Sequence, residues 1–161
     1  MGSLRAEDLV GALADTAPSV RRRACDLAGR NGLAEVAGAL ELALKDAEAA
    51  VVEAACYALG ELGPALSVRT AECAAALAAT AVTHDELLCR EAAVAALGSL
   101  GHPGGLPAVL AALQDKPAVR RRAVVALAAF DGPAVDEALA SVAEGRDWQA
   151  RQIAEDLLSA R

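Results

Sequence analysis

The sequence predicts an all-α solenoid of five stacked helical hairpins, ten helices in all. Three observations predict it. First, 55% of the residues are hydrophobic, yet there is only one Phe, one Trp and one Tyr, so the core is built from Ala, Leu and Val, which favours helices over sheets. Second, the frame VRRRACDLAGRNG at Val20–Gly32 returns as VVEAACYALGELG at Val51–Gly63, and again from Cys89, Val119 and Ala150, at spacings of 31, 38, 30 and 31 residues. Third, Gly, Pro and Asp punctuate the chain at matching places in successive units. A helical pair repeated at about 30 residues cannot bury its apolar face alone and must stack on its neighbours.

Each unit reads as a helix A, a turn and a helix B. In the first, Leu4 to Ala14 is helix A, Asp15 is the turn and Val20 to Gly32 is helix B. Leu33 to Leu44, Asp46 and Val51 to Gly63 make the second. The third has a long A segment, Ala65 to Val82, then His84 and helix B from Cys89 to Gly101; the extra seven residues equal about two helical turns. Gly104 to Leu113, Asp115 and the helix at Val119 follow, then Pro133 to Ala143 and the helix at Ala150. The whole chain is one domain, with repeats near 1–32, 33–63, 64–101, 102–132 and 133–161.

Within each B helix, positions 0, 4, 7 and 8 from the anchor lie on one face. Position 4 is alanine in all five units (Ala24, Ala55, Ala93, Ala123, Ala154), and position 9 is small throughout (Gly29, Gly60, Gly98, Ala128, Ser159). Small residues permit close helix approach, and Gly32, Gly63 and Gly101 are placed to end their helices. Arg5, Glu7 and Asp8 at one end, and Gln149, Gln152, Glu155 and Asp156 at the other, give the polarity expected of capping units. Trp148 reads as a packing residue that closes the last unit.

The formal charge of −7 repels polyanions and acidic membrane surfaces. No uninterrupted apolar run reaches the ~18 residues of a spanning helix, and the start MGSLRAEDL has no signal core, so a cytoplasmic protein is expected, and the polar end units argue for a monomer. Cys25, Cys56, Cys73 and Cys89 form no CxxC pair and read as reduced packing thiols. His84 and His102 lie at turns without zinc-ligand spacing. No catalytic triad, phosphate loop or metal set is visible, so we expect no enzyme activity, no cofactor and no metal.

The frame seen best in Val51–Gly63 and Cys89–Gly101, with Asp15 and Asp46 five residues before their anchors, resembles the HEAT-repeat superfamily, in particular the short bacterial PBS-lyase HEAT-like repeats. Val52 stands where that family's Arg would be, and His84 where its Asp would be. The resemblance implies that Arg21, Arg90, Arg120 and Arg151 pair with inter-helix Asp residues in a ladder along the stack, a role that suits a planar guanidinium. It leaves Arg22, Arg23, Arg121 and Arg122 as freer charges. The absence of any His-Glu dipeptide excludes the di-iron HEAT-like hydroxylases.

The resemblance also implies that the B helices line the concave surface. Their outward positions 2, 6 and 10 include Arg22 and Asp26; Glu53, Tyr57 and Glu61; Glu91; and Arg121 and Val125. This row is mixed at its first end, acidic in the middle, and basic again at Arg121. A single-strand nucleic-acid track would keep one positive sign and offer aromatics for stacking. The row therefore predicts a non-enzymatic scaffold or adaptor whose partner is a protein or peptide with a basic segment, Tyr57 serving either as anchor or as cover for its neighbours. A bilin-lyase-like subunit that handles a tetrapyrrole is the alternative implied by the resemblance; a nucleic-acid binder or HEAT-like DNA glycosylase is disfavoured by charge.

Overall fold

The computed structural model describes residues 5–161, so Leu4, the expected start of the first helix, lies outside it. Ten α-helices follow one another: α1 Ala6–Leu13, α2 Pro18–Arg30, α3 Ala37–Ala43, α4 Ala49–Leu62, α5 Thr70–Thr83, α6 Leu87–Leu100, α7 Leu106–Ala112, α8 Pro117–Ala126, α9 Pro133–Ala143 and α10 Trp148–Ser159. Among the described residues there is no strand. The odd-numbered helices are the A series and the even-numbered the B series.

Local chemistry sets the boundaries. Pro18, Pro117 and Pro133 occupy first helical positions, where a missing N–H costs nothing and φ is already helical. Asp15 and Asp46 close the A-to-B turns by accepting the N–H of Ala17 (2.7 Å) and of Glu48 (2.9 Å). At the end of α2, Gly32 takes a φ of +64°, and the next N–H, that of Leu33, reaches back to the Ala28 carbonyl at 3.1 Å, which satisfies an orphan acceptor.

The small residues at position 9 act between neighbouring units. A Cβ on Gly60 would stand 3.1 Å from the Ala96 Cα, and one on Gly98 2.9 Å from the Ala126 Cα. The partner in each case is the alanine at position 7 of the next B helix, and Gly29 meets Ala58 in the same way. Thus α2, α4, α6, α8 and α10 pack closely in series, while at every junction the A helices meet more loosely. The B helices form the continuous layer of the stack, and their outward positions are termed the inner row after the concave face that the HEAT resemblance implies.

One apolar core runs from Leu9 to Ala154, with all five position-4 alanines buried. The four cysteines are buried in it, as expected of packing thiols. Two packing expectations fail at the ends. Val20 is 38% exposed and Trp148 67% exposed: nothing among the described residues covers Val20, and Trp148 stands at the first position of α10. The long third A segment also differs from one long helix. Gly63–Arg69 is a 3-10 stretch kinked at Ser67 (φ 50°), and α5 begins only at Thr70. The combined stretch Ala65–Thr83 has the length and mean hydropathy (19 residues, 1.3) of a membrane-crossing helix, a match that the uninterrupted-run reading did not anticipate; it contains Arg69 and Glu72, which are ion-paired to each other.

Candidate functional site

Two sets of side chains project from the B helices, and only one is free to meet a partner. The arginine after the anchor belongs to the frame. Arg21 bonds both carboxylate oxygens of Asp46 in the next unit, at 2.7 and 2.8 Å, and donates to the carbonyls of Asp15 and Thr16 in its own turn. Arg90 repeats this with Asp115 (2.7 and 3.0 Å) and the carbonyls of His84 and Asp85. Arg120 bonds the Leu113 and Asp115 carbonyls and lies 4.0 Å from Asp147, a looser version. Arg151 reaches only Glu155 on its own helix at 3.8 Å among the described residues, so its predicted rung does not form there. In the gap at Val52, the side chain is buried, and His84 keeps only the turn function of an aspartate, its Nδ1 accepting the Glu86 N–H at 3.1 Å.

The inner row is different in kind. Tyr57 is 45% exposed at the middle of α4, with Glu53 one turn before it and Glu61 one turn after. Burial, and then the Glu53 carboxylate, push the Tyr57 hydroxyl above its ordinary range, so it remains a neutral donor. Among the described residues neither Glu53 nor Glu61 makes an ion pair; Glu91 does, with Arg122 at 3.1 Å. Beyond Arg122, a cleft of about 400 Å³ opens between α6 and α8, walled by Ala95, Ser99, Val125 and Ala129.

The model for HEAT repeats matches residues 74–159. The chain belongs to the HEAT-repeat family. Its fold is shared with solved solenoids of low sequence identity. The complex of CpcE and CpcF of phycocyanin lyase from Nostoc sp. is 19% identical, with a TM-score of 0.80 over 100% of this chain and 67% of that one. An engineered protein is 20% identical (TM-score 0.73, 95% and 77% covered). A designed armadillo repeat protein in complex with the peptide (KR)4 is 18% identical (TM-score 0.69, 94% and 80% covered). No curated protein matches the sequence.

In this HEAT stack the eight residues singled out from sequence are distributed unevenly. Glu53, Tyr57, Glu61 and Glu91 fall together at the centre, and Val125, 47% exposed, borders the cleft. Arg22 and Asp26 lie at the first end on α2. Arg121 lies 3.5 Å from Asp147 at the α9–α10 turn and borders a depression that it shares with Glu91, Arg122 and Val125. Arg122, taken from sequence as a free charge, is instead the cation at the centre, held by Glu91. Position 3 is buried alanine in α4 and α6 (Ala54, Ala92) and arginine in α8, and that substitution is the signal that could have found it.

The buried thiols offer no nucleophile. Burial pushes Cys25 and Cys73 up to about 12 and raises Cys56 and Cys89 as well. Cys73 donates to Glu41 at 3.2 Å, and the same Glu41 oxygen accepts from Arg69 at 2.6 Å, tying α3 to the expanded third unit.

Proposed function

We propose that this HEAT-repeat protein is a non-enzymatic scaffold that binds a basic peptide or protein segment across the inner face of its B helices. The observation that carries the reading is the pair of unpaired carboxylates, Glu53 and Glu61, on either side of the half-exposed Tyr57. A Lys or Arg side chain seated there meets an aromatic face and two anions, a combination of cation–π and charge-assisted contacts. The surface belongs to packed helices and is preformed, so little ordering entropy opposes binding. A designed solenoid of the same fold holds (KR)4, which supports a peptide as the kind of partner. The net charge of −7 favours encounter with a cationic partner.

The bilin-lyase alternative rests on likeness of fold to the CpcE–CpcF complex; of the cations on this face, Arg121 and Arg122 are already paired with Asp147 and Glu91, and Arg22 stands apart at the first end on α2. A cytoplasmic monomer is the setting that this reading assumes. Fluorescence anisotropy with a labelled (Lys-Arg)4 peptide tests it. Tyr57→Ala and Glu53→Lys should each weaken binding about tenfold or more, with affinity falling as salt rises. Equal affinities for wild type and both variants would remove the proposed site.

A further inference from the structure

We infer that the inner face reads a second feature of its partner: an aliphatic side chain placed about four or five residues from the basic one, seated in the cleft between α6 and α8. The inference rests on the basic-segment reading above and adds the residue that sets register. Its occupant is one extended peptide carrying both groups.

The geometry follows from the repeat. Tyr57, Ala95 and Val125 all occupy position 6 of their helices, so they form a row that crosses the stack at one level. At one end of this row the unpaired Glu53 and Glu61 flank Tyr57 along α4. At the other, Ala95, Val125, Ala126 and Ala129 wall the cleft of about 400 Å³, where only Ser99 and Arg122 are polar. Arg122 divides the two halves. Its salt bridge to Glu91 neutralises the charge between them, so the free carboxylates lie to either side of the cleft, at Asp26, Glu53 and Glu61 on α2 and α4 and at Asp156 on α10, and the cleft itself accepts an uncharged group. The charge pattern therefore matches a peptide with its cation over α4 and an apolar side chain over α6 and α8.

Spacing follows from two lengths. Packed helices lie about 10 Å apart, so the cleft midway between α6 and α8 is about 15 Å from α4. An extended chain advances about 3.3 Å per residue, which gives four to five residues. A peptide that turned or ran along a single helix would not show this dependence.

The test is anisotropy of labelled Gly-Ser peptides that carry a Lys-Arg-Lys-Arg block and one Leu, stepped outward from the block in either chain direction, against the intact protein. Affinity should peak when Leu is about four or five residues from the block, about tenfold above the Leu→Ser peptide. Val125→Asn, on the exposed side of α8, should abolish that gain and leave the Leu→Ser peptide unaffected. Ala129→Leu, which fills the cleft from within, provides a second variant with the same expectation. Affinity that ignores the position of Leu, or a gain that survives both variants, overturns the inference. If the basic block still loses affinity on Glu53→Lys in that case, the basic-segment reading stands; if Glu53→Lys has no effect, both fall.

Discussion

Arg21 in the first unit grips Asp46 in the second through two hydrogen bonds of 2.7 and 2.8 Å. The same guanidinium holds the carbonyls of its own turn, so one side chain fixes the relative position of two hairpins. Arg90 and Asp115 repeat the arrangement two units on. These rungs join neighbouring units at the A-to-B turns, and the inner face inherits its geometry from them.

The rungs make acid stability predictable. Hydrogen bonds from Arg21 and Arg90 hold the Asp46 and Asp115 carboxyls below the ordinary aspartate range. A folded value below the unfolded one means that the contribution is complete above about pH 4 and is lost as pH falls through the lower folded value. Urea unfolding followed by circular dichroism should show stability level from neutral pH to about 5, then falling below about 4. Asp115→Asn should reduce the slope in that lower range, and an unchanged slope would dissociate the rung from stability.

The missing rung can be rebuilt. By register Val52 and His84 occupy the Arg and Asp positions of the junction between the second and third units. Val52 is fully buried, so Val52→Arg alone should destabilise by more than about 3 kcal/mol. Adding His84→Asp should recover most of that loss, measured as a favourable coupling in a double-mutant cycle. Additive effects would show that the two positions do not face each other.

Close approach of the B helices depends on position 9. The Cα and Cβ of Ala126 already stand within 2.9 Å of where a Cβ on Gly98 would lie. Gly98→Val should therefore cost about 1–3 kcal/mol in thermal or urea unfolding. The equivalent change at Gly11, where nothing lies within 4 Å, should show no such overpacking cost.

The thiols should be inert until the protein unfolds. Cys25, Cys56, Cys73 and Cys89 are all buried and their thiols are pushed upward by burial. A colorimetric thiol reagent should find none reactive within minutes in the native protein at neutral pH, and four per chain in denaturant. A fast-reacting thiol in the native state would show that the core around it opens.

Much of this architecture was legible because the repeat restates each rule several times. Alanine at position 4 and small residues at position 9 report the tight B-to-B packing that the glycine contacts confirm. The ladder was legible at Arg21 and Arg90 for the same reason. What escaped lies where the repeat stops repeating. Val20, Trp148 and Arg151 belong to the first and last described units, where a position covered or paired in the central units meets no such neighbour among the described residues. The kink at Ser67 lies in the inserted residues, which have no counterpart for comparison. Arg122 escaped because position 3 is apolar in α4 and α6, and the cleft beyond it arises from small side chains on two helices that no single segment displays.

Binding on the inner face of the B helices is tested most directly by amide chemical-shift mapping. On titration with unlabelled (Lys-Arg)4, the largest shifts should fall on α4 and α6 around Glu53, Tyr57 and Glu91, with the A helices unmoved. Shifts centred on the A helices, or none at millimolar peptide, would contradict it.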